Sequence, residues 1–269
     1  MAMKVRAAFL LFVLAASRAS AAVIYLDDFD QFAAGDDLTG LTYPLDPPRV
    51  GFNAQFASFG SPPPVITAID FGAGNIAAQW DLPGGSGADY LGRFDAIHVE
   101  EVIDVSFRFV ALATPGGFGG FFIRFPTPTL DMQVLAGFLD DGSLAVFTDT
   151  PSPASLELLP TGYAADHVYD VRLVMNLPAN TYSWFLDGTS VVSGRPIPPH
   201  INATTMHQFG FDANEEFPAA QGNSWVVDDV RAEVVAAAPE PAMLVLLASG
   251  VAGIRIRRRR NRGRSTGIR

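Results

Sequence analysis

Three short runs of residues that favour strands follow one another in the second half of the chain. Residues 168–175, 181–186 and 189–192 are rich in β-branched and aromatic side chains, and turn residues separate them at 177–180 and at Asp187-Gly188. An Asp-Gly pair between such runs is a strong hairpin signal, because both residues tolerate positive φ. The pattern predicts three consecutive antiparallel strands and commits this part of the chain to a β-sheet.

The rest of the middle of the chain shows the same pattern. A second hairpin is predicted over 132–148, around Asp140-Asp141-Gly142. No segment has the periodicity of an amphipathic helix, and 21 Phe, 25 Gly and 20 Pro favour strands joined by turns. The sequence therefore predicts one all-β domain over 22–238, an antiparallel β-sandwich. Further strands are predicted at 101–112, 120–125, 206–211 and 224–235, and long loops at the Pro-rich 44–64 and the Gly-rich 84–87.

The N-terminus has the three parts of a secretory signal peptide. Lys4 and Arg6 precede the apolar residues 7–16, and the small residues Ala19-Ser20-Ala21 follow. Ten apolar residues are too few for the roughly 20 that a membrane-spanning helix needs, and the small residues suit signal peptidase. We predict a signal peptide at 1–21 that is cleaved after Ala21. Cleavage one residue later and an uncleaved anchor are the alternatives.

The C-terminus combines a short motif, an apolar run and a basic tail. Pro239-Glu240-Pro241 precedes the apolar residues 242–254, and residues 255–269 include eight arginines. Such a basic block stays in the cytoplasm, so the sequence predicts a membrane segment at 242–254, a cytoplasmic tail at 255–269 and a body outside the cytoplasm. Thirteen residues make a helix of about 20 Å, which is short against a hydrocarbon core of about 30 Å.

This ordered C-terminus resembles the PEP-CTERM sorting domain over residues 239–264. Pro239, Glu240 and Pro241 match its signature, and the basic cluster that follows the membrane segment is formed by Arg257, Arg258, Arg259 and Arg260. The resemblance implies that an exosortase, a sorting protease of bacteria that make exopolysaccharide, processes the chain and passes it to the cell surface or extracellular matrix. A plain tail anchor and a basic arm that binds nucleic acid are the alternatives. The signal peptide and the apolar run argue against nucleic acid.

The predicted body is strongly acidic once both basic ends are set aside. Residues 22–238 contain seven arginines, no lysine and 27 acidic residues, so their net charge is 7 − 27 = −20. A body of this charge repels polyanions and favours cations such as calcium, although acidity also serves solubility alone. The chain has no cysteine, so disulfides do not stabilise the fold.

The body resembles the concanavalin A-like jelly roll of lectins and glucanases, which includes laminin-G-like modules. The resemblance rests on Asp27-Asp28-Phe29-Asp30, the Tyr169 to Leu173 strand, the hairpin over 182–188 and the closing strand over 225–230. It implies that the first and last strands lie side by side. The fold hosts both glycan-binding proteins and glycan hydrolases, so the site must decide the function.

Catalytic motifs are not found in the sequence. Glu100 and Asp104 fall on one face of a predicted strand, but no second glutamate follows Asp104, as the paired carboxylates of the laminarinase type would require. The four histidines have no metal-ligand spacing. The sequence therefore predicts a protein that is not an enzyme, with a glycoside hydrolase as the less favoured alternative.

Calcium is the metal that the acidic residues favour most. If the terminal strands pair, Asp27, Asp28 or Asp30 meets Asp228 or Asp229, and converging carboxylates need a cation or a shared proton. We predict a calcium site formed by Asp28, Asp30, Asp228 and Asp229. In the alternative, these carboxylates point outward, or Asp228 and Asp229 pair with Arg231 or Arg172.

Glycan binding is the predicted function of the body. Sugar rings stack on exposed aromatic side chains, and Trp80, Tyr90, Tyr163 and Trp184 are the candidates, with core packing as the alternative for each. A structural matrix component without a specific ligand is the rival function. An exposed aromatic groove would favour binding, whereas aromatics dispersed through the core under a smooth acidic surface would favour the structural role.

Overall fold

A computed structural model describes residues 21–47, 49–112, 119–129, 131–149, 155–202, 204–214 and 223–235. These residues belong to one compact unit, Ala21–Val235. Across these ranges there is no helix that is long and apolar enough to cross a membrane. The predicted signal peptide, apart from Ala21, and the predicted sorting signal, membrane segment and tail lie outside the described residues.

The described residues form sixteen strands. In chain order they are β1 (Ala22–Asp27), β2 (Thr42–Pro44), β3 (Asn53–Gly60), β4 (Val65–Asp70), β5 (Ile76–Leu82), β6 (Ser86–Val99), β7 (Val102–Ala111), β8 (Gly120–Pro126), β9 (Met132–Leu139), β10 (Ser143–Phe147), β11 (Leu156–Gly162), β12 (Tyr169–Asn176), β13 (Thr181–Leu186), β14 (Thr189–Pro196), β15 (Thr205–Asn214) and β16 (Asn223–Val235).

The strands form two antiparallel sheets of eight. Sheet A has the order β14-β13-β12-β7-β16-β5-β4, and β1 also pairs with β16. Sheet B has the order β11-β10-β9-β8-β15-β6-β3-β2. Strand β16 pairs with two strands along the same edge. Its first half pairs with β5, and its second half pairs with β1. The prediction of an all-β antiparallel sandwich is confirmed, and so is the pairing of the terminal strands.

The strongest hairpin signals coincide with the observed strands. The three strands predicted between 168 and 192 are β12, β13 and β14, and the second predicted hairpin is β9 and β10. Asp187 and Gly188 both have positive φ, 48° and 72°, as the turn chemistry requires. The long loop predicted over 44–64 was wrong, because β3 occupies Asn53–Gly60 there. The 84–87 loop was wrong in part, since β6 begins at Ser86.

The inner faces of the two sheets meet in a core rich in aromatic rings. Phe109 of sheet A stacks on Phe138 of sheet B with ring centroids 4.0 Å apart. Phe107 and Phe211 make a similar contact between the sheets at 4.6 Å. Such contacts add to the burial of apolar area that stabilises the fold, and they fix the spacing of the two layers. Each sheet therefore presents its other face outward.

Candidate functional site

The aromatic residues predicted to bind glycan lie in the core. Trp80, Tyr90 and Trp184 are each 0% exposed, and Tyr163 is 9% exposed. Their rings contact other core rings: Trp80 lies 5.7 Å from Phe56, for example. Core packing, the alternative for each of these side chains, is what the structure shows, and none of the four presents an exposed ring to a sugar.

The alternation of polar and apolar residues along these strands indicates this burial. On β5, Gln79 and Asp81 flank Trp80, and on β13, Ser183 lies between Tyr182 and Trp184. Successive side chains of a strand point to opposite faces, so Gln79 and Asp81 place Trp80 on the inner face, and Ser183 does the same for Tyr182 and Trp184.

Two of the aspartates predicted to bind calcium lie in the loop after β1. The Asp28 carboxylate pairs with the Arg49 guanidinium, with Nε and Oδ1 3.0 Å apart. The Asp30 carboxylate accepts a hydrogen bond from the backbone N–H of Ile76 at 3.1 Å. Both carboxylates therefore already have protein donors.

The other two, Asp228 and Asp229, meet at Arg108. They lie at a β-bulge of β16, where the register against β7 shifts and Asp229 has a φ of 50°. The Arg108 guanidinium contacts both carboxylates, at 2.7 Å for Asp229, and Asn75 donates to Asp228 at 2.6 Å. Burial raises the pKa of Asp228. The partner is neither Arg231 nor Arg172, which the sequence had offered as alternatives.

The described part of the chain contains no group of three or more His, Asp or Glu side chains placed to hold a metal ion. The predicted calcium ligands therefore divide into separate contacts with Arg49, Ile76 and Arg108. Nothing in their geometry favours calcium over these protein donors.

Asp27 forms a different kind of site, inside the core. Its carboxylate is 0% exposed and accepts hydrogen bonds from the hydroxyls of Tyr43 at 2.6 Å and Tyr90 at 2.7 Å. The Tyr90 hydroxyl is also hydrogen bonded to that of Tyr25. Burial raises the pKa of Asp27 against the opposing effect of these hydrogen bonds. These hydrogen bonds tie β1 and β2 to β6.

The residues weighed for hydrolysis do not form a catalytic pair. Glu100 lies in the tight connection between β6 and β7 with a φ of 52°. Asp104, on β7, is bound by the Arg172 guanidinium, with Nε and Oδ2 2.7 Å apart. Asp104 thus belongs to an ion pair on the outer face of sheet A.

The outer face of sheet B carries two phenylalanine rings that lie on glycines. Phe59 of β3 is 46% exposed, and Phe122 of β8 is half-buried. A methyl group at Gly87 would lie 2.3 Å from the Phe59 ring, and one at Gly137 would lie 2.3 Å from the Phe122 ring. Only glycine gives the rings room to lie this close to the sheet. We call this surface the phenylalanine face.

A charged pair lies between the two rings. Arg124 of β8 reaches across β15 to Asp89 of β6, with Nη1 and Oδ1 2.9 Å apart, and also donates to the Met132 carbonyl at 2.9 Å. Gly210, on the intervening strand, pairs with Arg124, and a methyl group there would lie 2.8 Å from the Leu91 side chain. The two rings stand three strand spacings apart, about 14 Å at the usual strand separation.

The phenylalanine face therefore combines two partly exposed rings, each lying on a glycine, with fixed donors and acceptors. Aromatic rings of this kind offer an apolar surface to the C–H face of a sugar, while an ion pair offers hydrogen bonds to its hydroxyls. The sequence reasoning missed this surface. The signal was present, because Phe59 shares its strand face with Asn53 and Gln55, where an aromatic residue stands out.

Comparisons with known proteins show only that this chain shares its fold with solved structures. No family model matches the chain. No curated protein matches it either. A sialidase shares the fold with a TM-score of 0.52 at 13% identity over 80% of this chain, which spans only 19% of that protein. A conserved carbohydrate esterase from the Shiga toxin-encoding bacteriophage phi24B has a TM-score of 0.50 at 12% identity, over 75% of this chain and all of its own.

A third structure has a similar outline. Domain 4 of an extracellular GH43 arabinanase from Geobacillus stearothermophilus, solved with arabinotriose, has a TM-score of 0.48 at 12% identity, over 80% of this chain and 93% of its own. At these identities, the likeness to the sialidase and to the carbohydrate esterase shows a shared β-sandwich fold alone.

Proposed function

We propose that this chain is an exported cell-surface or matrix protein whose concanavalin A-like body binds glycan without catalysis. The phenylalanine face is the observation that carries the proposal. It presents two rings and one fixed ion pair on the outer side of sheet B, and these are the groups that recognise a sugar's C–H face and its hydroxyls. The shared fold with a sialidase and a carbohydrate esterase is compatible with a glycan partner.

The export half of the proposal rests on the two ends of the chain. The signal peptide at 1–21 takes the body out of the cytoplasm, and the sorting signal from Pro239 hands it to an exosortase. The membrane segment at 242–254 holds the protein until that cleavage. An exopolysaccharide is then the glycan that a protein delivered by this route meets.

A structural matrix component is the second candidate function. It is favoured by the burial of Trp80, Tyr90 and Trp184 and by the net charge of −20 over residues 22–238, from seven arginines and 27 acidic residues. In that role the acidic surface holds water and ions and recognises no particular sugar. The two candidates differ in whether binding saturates.

Glycan binding is tested on a panel of immobilised polysaccharides with the wild type and three single variants. We expect saturable binding by the wild type, and a loss of about tenfold in affinity, ~1.4 kcal/mol, in Phe59→Ala and in Phe122→Ala. Phe52→Ala is the matched control, because Phe52 is 61% exposed but precedes β3. We expect it to bind like the wild type.

Equal affinity in all four proteins would mean that the glycan does not bind at the phenylalanine face. Binding of the wild type that never saturates would favour the structural role. Circular dichroism melts of each variant separate a lost contact from a lost fold, and little change in Tm is expected because the rings are partly exposed.

A further inference from the structure

The outer face of sheet A holds a groove of about 550 Å³. One row of paired residues crosses five strands there, in the order Phe185, Arg172, Ser106, Arg231 and Leu26. Ser106 is short and stands between two long arginines, so the row is lowest in its middle. The volume lies within the range of roughly 300 to 1,000 Å³ that is typical of small-molecule sites.

The arginines of this groove are held in place by carboxylates. Arg172 donates from Nε to Asp104 at 2.7 Å, and Arg231 donates from Nε to Glu233 at 2.5 Å. Arg108, two residues along β7 from Ser106, also lines the groove and pairs with Asp229 at 2.7 Å. A guanidinium has five N–H donors in a fixed plane, so each pair leaves donors for a ligand in a fixed orientation.

The two ends of the row are apolar. The Arg172 guanidinium lies over the Phe185 ring, 5.4 Å from its centroid, which leaves Phe185 half-buried at one end. Leu26 of β1 closes the other end. The groove thus offers donors, acceptors and apolar surface within one depression. We call this surface the arginine groove.

The balance of charge indicates an uncharged ligand. The lining carboxylates Asp170 and Asp229, together with Asp104, Glu233 and Asp228 that bind the arginines, outnumber the three guanidiniums. An anionic sugar would have to approach these carboxylates, at a cost in free energy. The hydroxyls of a neutral sugar, in contrast, accept from guanidinium N–H groups and donate to carboxylate oxygens.

We propose that the arginine groove is a second saccharide site, specific for uncharged sugars. It lies on sheet A, whereas the phenylalanine face lies on sheet B, so the two sites face away from each other across the sandwich. If the proposed function holds, one molecule binds two separate glycan strands and links them. The second site itself stands on the groove and does not depend on the first.

The number of sites is measured by isothermal titration calorimetry with a neutral β-glucan oligosaccharide. We expect two sites per chain in the wild type, one in Arg172→Gln and one in Ser106→Phe, which fills the low point of the row. Arg195→Gln is the matched control, because it also breaks an exposed ion pair, with Glu157, but at the edge strands β14 and β11. It should keep both sites.

Each outcome separates the two proposals. One site in the wild type, lost in Phe122→Ala and kept in Arg172→Gln, would overturn the arginine groove and leave the phenylalanine face. One site lost in Arg172→Gln and kept in Phe122→Ala would overturn the phenylalanine face instead. No heat with any oligosaccharide would overturn both.

A charged oligosaccharide tests the preference of the arginine groove for uncharged sugars. A polyuronate of matching length is titrated in parallel, and we expect at least tenfold weaker binding at the arginine groove than for the neutral oligosaccharide. Tighter binding of the polyuronate, lost in Arg172→Gln, would overturn the preference for uncharged sugars. Linking of two glycan strands by one molecule is measured by the turbidity of a soluble neutral polysaccharide. The wild type should cause turbidity, and neither single-site variant should.

Discussion

The buried carboxyl group of Asp27 lies among tyrosine hydroxyls. Its pKa is raised from 3.8 because burial disfavours the charged form. Between the unfolded pKa and the higher folded pKa, the folded chain therefore keeps a proton that the unfolded chain has released. The stability that this proton contributes is complete below the unfolded pKa and is lost as pH rises through the folded pKa.

This linkage predicts a difference between the wild type and Asp27→Asn. The free energy of unfolding of the wild type, minus that of the variant, should fall as pH rises from below 3.8 towards neutrality, because asparagine does not titrate. Urea unfolding across this range measures it. The raised pKa of Asp228 is common to both proteins and cancels in the difference. A difference that grows with pH would mean that the bonds from Tyr43 and Tyr90 outweigh burial.

The direction in which a side chain faces, toward the core or toward solvent, could be predicted from the sequence in part. Trp80 lies between the polar residues Gln79 and Asp81, and Ser183 separates Tyr182 from Trp184, so this alternation indicates burial without any tertiary information. The phenylalanine face could not be predicted this way. It depends on Gly87 lying beside Phe59 and on Gly137 lying beside Phe122, and that register joins strands far apart in sequence.

Among the strands, the β13–β14 hairpin was the most predictable element. Asp187 and Gly188 both adopt positive φ, and nothing lies within 4 Å of a methyl group placed at Gly188. Gly188→Ala should therefore destabilise the protein through backbone strain alone, by about 1 to 2 kcal/mol in urea unfolding. Ser193→Ala, at an exposed position of β14, is the control and should cost far less. Equal costs would mean that the turn does not determine the hairpin's stability.

The β3 strand shows why other elements were missed. Residues 44–64 carry six prolines, which favour a loop. Asn53–Gly60 lies between them and alternates polar and apolar side chains, and its pairing with β6 decides its conformation. The bulge at Asp229 is likewise set by pairing with β7. Tertiary contacts of this kind override local propensity.

For the whole molecule, we propose that the two ends of the chain deliver the body to the place where it acts. We expect the protein purified from a culture of a bacterium that has an exosortase to begin at Ala22 and to lack the arginines after residue 254. Intact-mass measurement checks both ends at once. Replacing Pro239, Glu240 and Pro241 with alanine should keep the tail attached and leave the protein in the membrane fraction. A tail that is retained in the unaltered protein would contradict sorting by an exosortase.

Two outward faces with different chemistry are the central feature of this molecule. Sheet B presents rings over glycines and one ion pair, and sheet A presents a groove of paired charges around Ser106. The buried rings between them stabilise the two layers and belong to neither proposed site.

Backbone amide resonances of the purified protein, followed while a neutral oligosaccharide is added, test glycan binding most directly. We expect the largest shifts at Phe59, Gly87, Asp89 and Phe122, with a second group around Ser106. Amides of strands that line neither face, such as that of the buried Ile66 on β4, should move little. Saturating oligosaccharide that leaves both outer faces unshifted would contradict the proposal that this sandwich binds glycan there.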